Sequence, residues 1–100
     1  MAGKQARFTP AARRDLDSIW DYTARIWSVS QAEAYLRGLF DVVDMVCQYP
    51  EMTREHIEFR PPVRLYRFRS HLVIYRVEDE TILVVRIVHC RQNWQILLQD

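Results

Sequence analysis

Between Val63 and Arg91 the chain reads VRLYRFRSHLVIYRVEDETILVVRIVHCR, three runs of β-branched, aromatic and aliphatic residues separated by two short polar breaks. The first break falls around Ser70 and His71, the second at Glu78-Asp79-Glu80. Breaks that short join antiparallel neighbours, because a parallel return needs a crossover of a dozen or more residues. This stretch therefore predicts a three-stranded meander, and the rest of the fold has to cover it.

Charge narrows the reading further. Arg60, Arg64, Arg67, Arg69, Arg76, Arg86 and Arg91 lie on or beside these strands, and the only acids between Arg60 and Arg91 are in the second break. Guanidinium groups gathered on one sheet repel unless water or an anion faces them. They are either a solvated face with edge protection or the footprint of an anionic partner. A formal net charge of +1 means that any polyanion would be held by local patches, not by bulk charge. Lys4 is the only lysine among 14 basic residues. That bias suits planar pairing with phosphate or carboxylate, and it is equally the mark of a GC-rich genome.

One hundred residues predict a single domain, 1–100, with one modest core. Gln5 to Thr9 is a candidate strand. Thr9-Pro10 opens a helix, with Thr9 free to cap end amides and Pro10 at the first helical position. Ala12, Leu16, Ile19, Trp20, Thr23, Ile26 and Trp27 recur at three and four, one face of a helix running to about Trp27, while Arg13, Arg14, Asp17, Asp21 and Arg25 form a solvated face. After a break at Ser28-Val29-Ser30, Ser30 and Glu33 form a capping-box pair. A second helix follows, with Leu36, Leu39, Phe40, Val43, Val46 and Cys47 on one stripe and Tyr35 and Val42 beside it; it ends before Pro50. Helices joined so closely lie antiparallel, which assigns Trp20 and Trp27 to the core of the hairpin.

Tyr49 to Pro62 is a long connection, so a short strand or turn around Ile57 to Arg60 is expected, or a functional role for the segment. Gln92 to Leu98 reads as a terminal helical turn folding Trp94, Ile96 and Leu97 onto the core. The expected class is α+β, in the order β-α-α-β-β-β, a helical hairpin packed on a small antiparallel sheet.

Few residues offer chemistry. Cys47 and Cys90 are too isolated for a disulfide framework and read as reduced thiols of a cytoplasmic protein. No apolar run approaches the roughly 20 residues of a membrane span, and MAGKQARF has no leader-like apolar region. Gly3 and Gly38, the only glycines, form no phosphate loop, and His56, His71 and His89 lack metal-ligand spacing; no metal and no cofactor are expected. His89 and Cys90, adjacent on a strand, point to opposite faces. Metal-free RNA cleavage needs a base, an acid and cations, and His89 and Arg91 with Arg67 or Arg69 could supply them. Alternatively His89 and Arg91, two apart on one strand, anchor the C-terminal segment.

The order Phe8-Thr9-Pro10-Ala11-Ala12-Arg13-Arg14-Asp15-Leu16, then Ile19-Trp20-Asp21-Tyr22, then a second helix ending before Tyr49-Pro50, resembles the RelE/ParE superfamily of bacterial toxins. Val73-Ile74-Tyr75-Arg76-Val77 is similar to its third strand, and Val85 to Trp94 resembles the ParE branch, an aliphatic strand followed by His89, a variable residue, Arg91 and a polar pair. The resemblance covers nearly the whole chain. It implies a type II toxin neutralised by a ParD-like antitoxin in a hetero-oligomer, with no membrane role. ParE-like members poison DNA gyrase on cleaved DNA, whereas RelE-like members cut messenger RNA on the ribosome. The tail QNWQILLQD offers no Tyr, His or Lys to act on RNA, and the connection lacks lysine, so the ParE branch fits better. Thr53 departs from the family, which often has glycine shortly after that proline.

Within this resemblance the antitoxin is expected across Trp27, Tyr35, Leu39 and Val42 with Arg64, Arg67 and Arg76. The target is expected at Arg69, Arg86, His89, Arg91 and Trp94, with DNA phosphates a further possible contact. A ribosome-dependent nuclease using His89, Arg91 and Arg67, or a nontoxic binding module of the same fold, are the alternatives.

Overall fold

The computed structural model describes residues 3–98. Its elements are β1 (Gln5–Phe8), α1 (Pro10–Ile26), α2 (Val29–Gln48), β2 (Glu55–His56), β3 (Val63–Phe68), β4 (His71–Val77), β5 (Thr81–His89) and α3 (Trp94–Leu97). The strands form one sheet in the order β1-β5-β4-β3-β2. The meander is β3-β4-β5, antiparallel throughout, and the long connection supplies β2, two residues before the expected Ile57. The sheet is not wholly antiparallel: β1 runs parallel to β5, with Gln5 opposite Thr81 and Phe8 opposite Val84. The whole hairpin and meander serve as the long crossover that a parallel pair requires.

Thr9 does two jobs at the start of α1. Its Oγ1 accepts from the Ala12 amide at 3.0 Å and its hydroxyl donates to the Val85 carbonyl at 2.7 Å. Val85 is the extra residue of a β-bulge, because Tyr75 faces Val84 while Ile74 faces Arg86. One side chain thus caps the helix and satisfies a carbonyl that the bulge frees from the ladder. Thr9→Ala is expected to lower stability by about 1–2 kcal/mol, the sum of a lost cap and a lost bond. A urea midpoint that falls at unchanged slope is the check.

Only Trp27 and Ser28 separate the two helices, so α2 begins earlier than its sequence signals suggest. Ser28, extended at φ −175° and ψ 163°, is the N-cap and accepts from the Gln31 amide at 3.0 Å. Ser30 is therefore inside the first turn, and the Ser30–Glu33 capping box does not form. Trp27 at the apex is 73% exposed, and Trp20 is only half-buried, so neither is the hairpin core expected from their spacing. A side chain at a two-residue apex lies past the last turn that faces the sheet.

The core divides between the two faces of the sheet. Under the hairpin, Ala12, Ile19, Leu39, Val42, Val43 and Val46 pack on Val73, Tyr75, Ile82, Val84 and Ile87. Gly38 lets α2 come down onto β3, since a Cβ there would run into the Phe68 ring. On the opposite face, Val63, Ile74 and Val88 are covered by Phe59, Leu65, Leu72, Trp94 and Leu98. The connection before β3 and the C-terminal turn are thus the lid of a second, smaller core. Ile96 and Leu97 stay exposed, and Leu98 takes the place expected for them.

Candidate functional site

Where the apex of the hairpin overhangs the ends of β4 and β5 there is a cleft of about 770 Å³, walled by Ile19, Tyr22, Trp27 and Tyr35 from the helices and by His71 and His89 from the strands. Tyr22 is 57% exposed, and with Trp27 it forms an aromatic rim. Ile26 and Val29 continue the exposed apolar surface past the apex.

The floor is held by one ion pair. Arg86 donates from Nε to Asp15 Oδ2 at 2.8 Å and from Nη2 to Asp15 Oδ1 at 2.9 Å. Asp15 Oδ2 also accepts from the Ile87 amide at 2.8 Å. The bond from Asp15 raises the pKa of Arg86 above its already high ordinary value. β1 lines β5 only as far as Val84, so beyond that point the carboxylate of α1 stands in for a missing strand.

Beside this pair lies a chain of aromatic donors and acceptors. Tyr35 Oη and His71 Nδ1 are 2.7 Å apart, and the His71 ring meets His89 edge-on with centroids 5.4 Å apart. Burial, and then the charge of His89, push the pKa of His71 below its ordinary value, which favours the neutral ring with the phenol donating to Nδ1. Burial raises the pKa of Tyr35. His89 is fixed by its neighbours: Nδ1 accepts from the Arg91 amide at 3.1 Å, and its own amide donates to Gln92 Oε1 at 3.2 Å.

A histidine whose folded pKa is depressed binds its proton more readily in the unfolded chain. It contributes stability above about pH 6.5, the unfolded value, which is lost as pH falls toward the folded value. Unfolding in urea at pH 7.5 and pH 5.5 is expected to show this loss, and His71→Phe to show a smaller one.

The residues expected to bind an antitoxin do not stay together. Trp27 and Tyr35 line the cleft. Leu39 and Val42, 1% and 6% exposed, are packed against the sheet and have almost no surface to offer a partner. The apolar surplus on α2 arises because that helix is covered by α1 and by the sheet at once. Arg64 donates to the Thr53 carbonyl under the connection, Arg67 Nε donates to the Arg69 carbonyl, and Arg76 sits 3.8 Å from Glu78. None of the three lines the cleft.

Of the residues expected to meet a target, Arg86 and His89 are at the cleft. Arg69 occupies the β3–β4 turn with φ 51° and lies over the Phe68 ring at 5.5 Å, and Trp94 packs against Phe59 and His56 on the other face of the sheet. Arg91 lies beyond the end of β5, so it does not share a strand face with His89. The set His89, Arg91 and Arg67 therefore does not converge. Asp15 and His71 are the contributors that sequence reasoning missed. Asp15 stands between Ala12 and Ile19 at core spacing, and a carboxylate on a core stripe signals a partner across it.

A helical hairpin laid on a five-stranded sheet, with an aromatic-rimmed cleft at its apex, is an α+β domain of the architecture that the RelE/ParE resemblance implies. Residues 6–94 match the family described as "ParE toxin of type II toxin-antitoxin system, parDE". Toxin ParE1 of Mycobacterium tuberculosis (strain ATCC 25618 / H37Rv) is 43% identical over 86 residues, covering 85% of this chain and 88% of that protein. Toxin ParE1 of Caulobacter vibrioides is 33% identical over 90 residues, covering 90% and 93%. The fold is shared with a solved chain of the chromosomal ParDE TA system from P. aeruginosa, at TM-score 0.73 and 20% identity, over 86% of this chain and 95% of that one. The chain belongs to the ParE toxin family of type II toxin–antitoxin systems.

Proposed function

We propose that this toxin acts in the cytoplasm as a poison of DNA gyrase and is held inactive by a ParD-like antitoxin, an amphipathic segment of which fills the cleft at the hairpin apex. The observation that carries the antitoxin site is the exposure of both Trp27 and Tyr22 on the lining of one cleft that also has apolar side chains in its wall. Large exposed aromatics grouped at a concavity are where binding energy concentrates. The same geometry supports a non-enzymatic target reading, since Arg67 and Arg91, the cations a nuclease would use with His89, lie outside the cleft, and Arg86, which lines it, is engaged by Asp15. Membership of the family, and the ParDE system to which the structural relative belongs, support an antitoxin partner.

Two measurements test this. Purified protein, gyrase, ATP and supercoiled plasmid, stopped with detergent and protease, are expected to yield linear DNA that depends on the protein. Absence of linear product from folded, antitoxin-free protein, together with cleavage of ribosome-bound messenger RNA that is lost in His89→Ala, would replace gyrase by the ribosome as target. For the antitoxin site, Trp27→Ala is expected to weaken binding by about 30-fold or more, the effect of losing a hot-spot tryptophan worth ~2 kcal/mol or more. An unchanged Kd in that variant would move the antitoxin elsewhere.

A further inference from the structure

β2 covers only the start of β3. Its two residues pair as Glu55 with Arg64 and His56 with Val63, and Leu65 to Phe68 have β4 on one side and no strand on the other. In an antiparallel ladder alternate residues turn their N–H and C=O groups to opposite sides, so part of this four-residue run presents unpaired backbone outward. The comparable gap on β5 is closed, by Thr9 on the Val85 carbonyl and Asp15 on the Ile87 amide. The gap on β3 has no such cover among the described residues.

Charge says what would fit there. Arg67 and Arg69 are exposed, and neither forms an ion pair among the described residues, whose pairs are His56–Glu58, Arg76–Glu78 and Arg86–Asp15. The bond from Arg67 Nε to the Arg69 carbonyl, 2.8 Å long, holds that guanidinium beside the turn. The chain supplies its own precedent one step along the same edge, where β2 sets Glu55 opposite Arg64. A second copy is excluded by the same charges, because two β3 edges laid together would bring arginines against arginines.

We infer that the open edge of β3, from Leu65 to Phe68, receives an extended acidic segment of a partner chain, which adds as a strand and pairs its carboxylates with Arg67 and Arg69. At about 3.3 Å per residue the edge offers roughly 13 Å of ladder, enough for an auxiliary contact that sets register. The inference does not rest on the cleft or on the antitoxin reading, since the two surfaces share no residue.

The probe is a capped six-residue peptide of alternating Glu and Val, titrated into the ¹⁵N-labelled full chain. Saturable amide shifts at Leu65 to Arg69 are expected. Binding should fall at least tenfold when alternate peptide amides are N-methylated, and at least tenfold in Arg67→Glu, whose remaining spectrum reports an intact fold. The matching Lys and Val peptide should prefer Arg67→Glu over the parent. Shifts that centre on the cleft, no saturable shift at β3, or equal binding of the N-methylated peptide would overturn the inference; the last would mean charge attraction without strand addition.

Discussion

Leu39→Asp is expected to abolish folding at 25 °C, seen as loss of the cooperative urea transition and of near-ultraviolet circular dichroism. Leu39 is among the largest fully buried side chains, on the face of α2 that meets Val73, Tyr75 and Ile82. Truncating a leucine at such a site costs about 2–5 kcal/mol through lost transfer energy and the cavity left behind. An isolated carboxylate adds a desolvation cost of several kcal/mol, whether it stays charged or takes up a proton. The sum rivals the ~5–15 kcal/mol that separates a typical domain from its unfolded state. Leu39→Ala should remain folded with a lower midpoint. Trp27→Asp should barely move that midpoint, because the side chain already lies in water. The pair separates damage to the fold from damage to a binding surface. A charged residue at Leu39 would abolish partner binding for the wrong reason.

Asp15→Ala is expected to cost about 2–4 kcal/mol, the range for breaking a charge-assisted pair and orphaning its partners in a partly buried site. Three bonds end on this carboxylate, two from Arg86 and one from the Ile87 amide. Asp15→Asn can keep one or two of them and should lie between. In the double variant Asp15→Ala/Arg86→Met the loss should be smaller than the sum of the single losses, because the unpaired guanidinium is gone. Hydrogen exchange at the Ile87 amide should accelerate in both Asp15 variants, while exchange at Ile82, covered by β1, should change less. An unchanged rate at Ile87 would mean that water serves that amide as well as the carboxylate does.

The hairpin and the meander were legible because each rests on a local period. Thr9-Pro10 marks the start of α1 and the two short breaks mark the turns of the sheet. What could not be read is what depends on residues far apart in the chain. The place of β1 beside β5 is one example, for four residues carry no sign of their partner. The bulge at Val85 is another, since it appears only when β4 and β5 are set in register. The second core was hidden because Phe59, Trp94 and Leu98 come from segments without a regular period. At the candidate site, Tyr35 was visible as part of the apolar surplus on α2, whereas the helical spacing of Trp27 pointed to the core and hid its exposure at the apex. Leu39 and Val42 were misplaced because a helix covered on two sides shows the same surplus as one awaiting a partner. His71 falls in a polar break of the sequence, yet it is the first residue of β4.

The parallel pairing of β1 with β5 bears on how such a molecule is made. β5 is the last strand to leave the ribosome, yet it supplies the neighbour of β1, the carbonyl that Thr9 grips and the amide that Asp15 holds. A nascent chain ending before Thr81 has none of these contacts, and native pairings of such sequence separation form only after the intervening chain exists. The fold therefore comes into being only after β5 has been made, and a chain that stops before Thr81 is left with β1 and the start of α1 unpartnered.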